Sequence, residues 1–432
     1  MADPELIRFT IDNGLRVVLA PDPTAPVVGV SVHYDVGFRS EPEGLTGFAH
    51  LFEHLMFQGS ESLEKLAHFR HVQSSGGTFN GSTHPDYTDY YEVLPSAALE
   101  RALFLEADRM RAPKLTAENL ANQIEVVKEE IRLNVRNRPY GGFPWILLPP
   151  VLYSTFANAH DGYGAFEDLE GATLEDCAAF FDTYYSPANA VLTVAGDFEV
   201  DNAKALIEKH FGDVPHRPAP VRPSFAEPLP TTELQGEHTD AHAPLPALAV
   251  GYRMPDPIND LDGYLAYLVL AGVLTDGDGS RLQQRLVHVE LLVVDVGAGA
   301  GLFGPFEARD PDTFTITAIH PPDVPRERVL AALDEELEKL ASTPPDANEL
   351  KKVTARWAAS LHTEHDRLVS RTLALGAFEL LYGDASLVYR LADRLSAVSG
   401  EAVSAAAKAL RPDARAVLVV KPAQNSEGTD EQ

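Results

Sequence analysis

The sequence has one cysteine, Cys177, in 432 residues, which excludes an internal disulfide framework. A lone thiol fits a reducing compartment, and its simplest role is that of a small buried apolar side chain. Long apolar runs are missing too: no stretch approaches the ~18 uninterrupted apolar residues of a membrane-spanning helix. The opening MADPELIRFT has no basic stretch followed by an apolar one. No secretory leader is therefore expected, and a cytoplasmic location is. Positive charge is scarce, with 35 lysines and arginines against 64 aspartates and glutamates, a formal net charge of -29. Nucleic acid and anionic membrane are poor partners for such a chain, because like charges repel and no counterion release rewards contact. Cationic substrates such as basic peptides would be attracted, although solubility alone also accounts for an acidic surface. No Walker-type or dinucleotide-type glycine loop stands out.

What is present reads as two halves. The chain is too long for one ordinary core, and its 45% hydrophobic and 23% charged content is that of a globular protein. The stretch HRPAPVRPSFAEPLPTTELQGEH is rich in proline and short of periodic apolar positions. It reads as a linker, 216–238, between an N-terminal domain, 1–215, and a C-terminal domain, 239–422, with a polar tail at 423–432. Short matches suggest duplication. Ala25-Pro26 leads into VVGVSVHY, as Ala243-Pro244 leads into LPALAVGY; SPANAVLTVAGDF closes one half, as RPDARAVLVVKPA closes the other. Each half runs strands, then helices, then a closing strand. The expected fold class is α+β, two similar domains, each a mostly antiparallel sheet with helices packed on one face.

The segment GFAHLFEHLMFQGS carries the chemistry. A helix turns about 100° per residue, so His50 and His54 share a face and Glu53 lies near His50 on the flank. Two imidazoles at this spacing suit a zinc ion, and a glutamate beside them can reach a water held there. A third protein ligand is needed. In LANQIEVVKEEIRLNVR, Glu125, Lys128, Glu129, Arg132 and Arg136 form a solvated face. Glu130 falls opposite, among Val126, Val127 and Leu133, with Gln123 and Asn134 on the same side. A carboxylate on an apolar stripe is costly unless paired or metal-bound, which selects Glu130 over the alternative, Glu129.

His50-x-x-Glu53-His54 resembles the inverted zinc motif of the inverzincins, the metallopeptidase family of pitrilysin, insulin-degrading enzyme and mitochondrial processing peptidase. The segments EVVKEEIR and GGTFNGSTHPDYTDYYEVLP, and the interval from His54 to Glu130, resemble that family as well. The resemblance implies one zinc ion held by His50, His54 and Glu130, with Glu53 as general base of a peptide hydrolase. It implies that GGTFNGST is a substrate-pairing edge strand, with Phe79, Asn80 and Gly81 at its centre. It also implies a helper residue behind the metal at Gln123, where many members have a glutamate.

One departure is larger. Self-sufficient members carry an arginine and a tyrosine in the second half, in a stretch resembling R-E-K-x-x-L-A-Y. Here VHVELLVVDVGAGAG takes that place, with His288 near the arginine position and Val294 or Asp295 near the tyrosine. Arg281 and Arg285 lie close by and read as structural. The expectation is a zinc endopeptidase subunit that cleaves unfolded peptides or leader segments with a homologous partner supplying the missing pair. A self-sufficient homodimer and a non-catalytic scaffold subunit are the alternatives.

Overall fold

The computed structural model describes residues 5–423, so all of the expected polar tail except Ala423 lies outside the described residues. The first half builds a six-stranded sheet from β1 (Ile7–Thr10), β2 (Arg16–Pro21), β3 (Val27–Tyr34), β4 (Thr78–Thr83), β5 (Thr88–Pro95) and β6 (Ala190–Gly196). Its order is β1-β2-β6-β3-β5-β4, antiparallel throughout except for the parallel pair β2–β6. The second half builds a five-stranded sheet from β7 (Leu234–Asp240), β8 (Ala247–Arg253), β9 (Asp295–Ala300), β10 (Thr313–Ile319) and β11 (Arg415–Pro422). Its order is β7-β11-β8-β10-β9, again with one parallel pair, β7–β11. Leaving out β1, the two sheets share order and strand direction, and the matched AP-led strands (β3, β8) and closing strands (β6, β11) occupy equivalent positions.

Strand β7 begins at Leu234, inside the expected linker. Only residues 215–233 lack regular structure, because β11 recruits the end of the proline-rich stretch as a parallel neighbour.

Among the described residues, twelve helices have eight or more residues. In the first half they are α1 (Phe48–Leu55), α2 (Ala67–Ser74), α3 (Leu99–Arg111), α4 (Ala117–Ile131), α5 (Leu174–Tyr184) and α6 (Val200–Phe211). In the second they are α7 (Leu261–Thr275), α8 (Arg326–Ser342), α9 (Ala347–Asp366), α10 (Leu368–Tyr382), α11 (Leu387–Ser396) and α12 (Gly400–Ala409). Strand periodicity decides what each sheet face touches. On β3, Val28, Val30, Val32 and Tyr34 enter a core with Leu51, Phe52 and Leu55 of α1 and Leu103 of α3. The alternate residues Gly29, Ser31 and His33 face the other way, toward α10. A Cβ on Gly29 would fall 2.4 Å from the Thr372 hydroxyl, and one on Gly376 2.4 Å from His33 Nδ1, so two glycines allow this close approach.

Each half thus covers the second face of the other's sheet. Helix α10 lies across β3, β5 and β6. Reciprocally, Leu148 and Leu152 of the first half pack on Ala247, Ala249 and Leu418 beneath the second sheet. Buried arginines brace the junction. Arg39 donates to Asp86 and to the Pro311 carbonyl, and Arg309 donates to Asp35 and to the Leu380 carbonyl.

Candidate metal centre

Helix α1 starts at Gly47, whose φ of 78° belongs to the left-handed region, and a Cβ there would fall 2.3 Å from the Tyr163 carbonyl oxygen. The buried Glu41 carboxylate caps this helix. It accepts from the backbone N–H of Gly47 (2.9 Å) and of Ala49 (2.7 Å), where the helix dipole favours negative charge. Burial pushes Glu41 up to about 7, against the pull of its neighbour His160. The cap fixes where the next turn of α1 delivers His50, Glu53 and His54.

Helix α4 is capped by Thr116, which accepts from Asn119 N–H, and runs beside α1. Glu130 stands at its end, where the chain passes into a widened π turn, Arg132–Arg136. The structure brings His50, His54 and Glu130 together. His50 Nε2 lies 3.7 Å from Glu130 Oε1, and His54 Nε2 lies 3.5 Å from Oε2. A tetrahedral zinc would hold its donors about 3.3 Å apart, so this set of two imidazoles and a carboxylate fits the ion with little adjustment. Gln123 Oε1 lies 3.3 Å from His54 Nδ1, an acceptor that favours the tautomer with Nε2 free to ligate. Glu129 turns outward to Arg132, 3.0 Å away.

The charges are mutually tuned. Burial pushes His50 down to about 4 and Glu53 up to about 7. Burial would lower His54 as well, but its hydrogen bond to Glu130 and the nearby carboxylates outweigh that and raise it. The His54 contact holds Glu130 below the usual carboxylate range. Two basic rings and two acids with displaced pKa values share one cleft, which makes it the candidate functional site.

Edge strand β4 closes one side. Alternation turns Phe79, Gly81 and Thr83 toward α1. Thr83 donates to Glu53 Oε2 at 2.7 Å, and a Cβ on Gly81 would lie 3.3 Å from Glu53 Cγ. The Phe79 ring packs on Phe57 and Phe69, leaving its main chain on the edge; Asn80 is exposed. The outer edge of β4 pairs with no strand among the described residues.

Several expectations differ from the geometry. Val126 and Leu133, expected to bury Glu130, are 42% and 61% exposed, so Glu130 lines an open cleft rather than an apolar stripe. Lys128, expected on the solvated face, is buried, with Glu125 at 2.8 Å and Glu170 at 2.6 Å. In the second half, His288 and Val294 are exposed. Arg281 is gripped by both oxygens of Glu349, and Arg285 pairs with Glu290 and Glu335.

Spacing did not reveal Glu41, His160 or Tyr163, which arrive from distant segments. The Tyr163 ring meets His50 edge-on at 5.3 Å, and its hydroxyl lies 3.5 Å from Glu130. Thr83 was within reach, since it lies two residues beyond Gly81 on the same strand face. A second cluster of possible ligands, His68, Glu92 and Glu106, is wholly buried. Arg109 already supplies its positive charge, pairing with Glu106 and lying over the Tyr90 ring at 4.3 Å.

Two family models match the chain. Residues 16–139 match the family model described as insulinase, peptidase family M16, and residues 171–356 match the model described as peptidase M16 inactive domain. The chain is 30% identical over 363 residues to the zinc protease PqqE of Helicobacter pylori, covering 81% of this chain and 78% of that one. The crystal structure of a protease from Helicobacter pylori superposes with a TM-score of 0.88 at 25% identity, over 97% of this chain and 100% of that one. The first half of PqqL from Escherichia coli, described as a periplasmic protease, superposes with a TM-score of 0.76 at 20% identity, over 97% and 92% of the two chains. No helix among the described residues is long and apolar enough to cross a membrane.

Proposed function

The chain belongs to peptidase family M16, and from that premise we propose that it is the zinc-bearing subunit of an endopeptidase acting on unfolded peptides or leader segments. The observation that carries this reading is the convergence of His50 Nε2, His54 Nε2 and both Glu130 oxygens, 3.5 and 3.7 Å apart, beside Glu53. These three side chains would hold one zinc ion, with Gln123 orienting His54. When bound, zinc polarises a carbonyl and lowers the pKa of water toward about 7. Glu53 takes the proton of the attacking water and returns it to the leaving amine. Thr83 keeps that carboxylate aimed, and Gly81 lets a substrate backbone approach it. The free edge of β4, through the main chain of Phe79, Asn80 and Gly81, pairs with an extended peptide, which gives binding tolerant of sequence.

Arg281 and Arg285 both carry carboxylate partners, and VHVELLVVDVGAGAG has neither the arginine nor the tyrosine of the self-sufficient pattern. A homologous subunit supplies that pair and completes a chamber, in a cytoplasmic heterodimer. The test is to isolate the native complex, map cleavage on a peptide library with and without chelator, and repeat with the chain alone. Chelator-sensitive cleavage by the complex, far below that level for the chain alone, is expected. Full activity of the lone chain overturns the partner, a complex free of cleavage overturns the peptidase, and cell fractionation decides the location.

A further inference from the structure

The face of the first sheet opposite α1 borders a cavity of about 420 Å³, roofed by α9, α10 and α11 of the second half. Its walls are largely apolar and include Trp357, Leu361, Leu373 and Phe378. On its sheet side lie two fully buried polar residues, His33 and Asp89. His33 Nε2 and Asp89 Oδ1 have no hydrogen-bond partner among the described residues. The other oxygen, Asp89 Oδ2, accepts from Ser82 and lies 3.4 Å from His84 Nε2. His84 stacks flat on Tyr87, with ring centroids 4.1 Å apart, and faces Glu307 at 3.3 Å. Glu364 joins the lining, and neither lysine nor arginine does.

These features specify a ligand. Carboxylate oxygens can only accept, so the acidic residues of the lining call for an N–H or O–H donor. Apolar walls call for an apolar shaft. The lining holds three carboxylates, Asp89, Glu307 and Glu364, and three imidazoles. Burial lowers His33 and His365, while acidic neighbours raise His84, so the lining is net negative and selects a cation. A flexible hydrocarbon stem ending in an ammonium or guanidinium meets all three demands.

The cavity adjoins the proposed peptide edge. Ser82 belongs to its wall, and the next residue, Thr83, holds Glu53. Successive strand residues face opposite sides, so a peptide paired with β4 turns alternate side chains toward Glu53 and toward the cavity side. We propose that this cavity is a specificity pocket for a lysine or arginine side chain of a peptide lying along β4. A peptide on β4 presupposes the peptidase reading above; the cavity's preference for a cation does not.

Trp357 reports occupancy once Trp145→Phe removes the only other indole. Titration with n-hexylamine is expected to change its fluorescence saturably, with hexanoate inert at equal concentration. Ala374→Phe, which fills the cavity, abolishes the response. Glu364→Gln, on an exposed position that leaves folding intact, weakens amine binding about fivefold. A response to hexanoate equal to that of the amine, or an amine response that survives Ala374→Phe, overturns the pocket. On a peptide library, the native complex is expected to enrich a basic residue at one position, and Ala374→Phe to erase that enrichment. Cleavage indifferent to basic residues overturns the peptide assignment. Hexylamine binding without any cleavage supports the pocket and counts against the peptidase reading alone.

Discussion

Thr83 donates its hydroxyl to Glu53 across the gap between an unpaired strand edge and the helix that carries both histidines, 2.7 Å from Oε2. The contact ties the proposed base to the strand that would bind substrate. Thr83→Val is expected to lower kcat by about tenfold with zinc content unchanged, while Thr83→Ser restores it. Steady-state kinetics beside elemental analysis reads this; a change in KM alone would assign Thr83 to binding instead.

Glu53→Gln keeps the shape of the side chain but removes its proton affinity. Turnover is expected to fall by about 10²- to 10⁴-fold while zinc stays stoichiometric. Residual cleavage near wild-type level would show that another group serves as base.

Glu130→Ala and Glu129→Ala separate two neighbouring acids. Glu130 faces both imidazoles, whereas Glu129 pairs with Arg132 on the surface. The first substitution is expected to release zinc during dialysis against a weak chelator, and the second to hold it. Gln123→Ala should fall between, weakening zinc binding by about 10- to 100-fold through loss of the His54 contact. Equal zinc retention in both alanine variants would remove Glu130 from the site.

Arg109 is wholly buried, paired with Glu106 and stacked over Tyr90 and Phe57. Burial pushes the Glu106 carboxyl well above the usual range, and Arg109→Met removes the guanidinium that opposes that push. A loss of about 3–5 kcal/mol is expected in chemical unfolding, because removing one partner strands the other. A loss below about 1 kcal/mol would mean that Glu106 is neutral in the native protein.

His84 predicts how stability depends on pH. The groups facing it are Asp89, Glu307, His33 and Tyr87. Burial lowers its pKa, but the two carboxylates outweigh burial and raise it from 6.5 to about 9. A raised folded-state pKa means that the contribution is complete below 6.5 and is lost as pH climbs through about 9. The size is about 3 kcal/mol at most. His84→Gln should flatten the alkaline limb of stability against pH between those limits. An unchanged limb would remove His84 as its source.

Parts of the fold and site were legible because they are local. Helical phase brings His50 and His54 to one face, and strand alternation predicts that β3 turns its valines one way and Ser31 and His33 the other. The repeated AP-led and closing strands foretold the matching sheet orders. The apolar stripe expected around Glu130 is absent: helical phase fixes a direction, not what fills the space in that direction, so Val126 and Leu133 are apolar and still exposed. Lys128 shows the converse, a charged residue on a polar face buried by Glu170 from another helix. Glu41, His160 and Tyr163 carried no signal, since their roles depend on loops brought to α1 by the rest of the chain. The start of β7 was hidden because prolines mark its approach and only parallel pairing with β11 makes it a strand.

The way each sheet borrows a roof from the opposite half bears on how such a molecule would admit a polypeptide. Prising α10 off the first sheet would also drag Leu148 and Leu152 from beneath the second, baring two apolar floors at once. The shared packing ties the halves to each other. If the chain works in the proposed pair, the gate that lets a polypeptide reach Glu53 would lie at the seam between subunits, and a crosslink within one subunit should leave it working where a crosslink across the seam locks it shut.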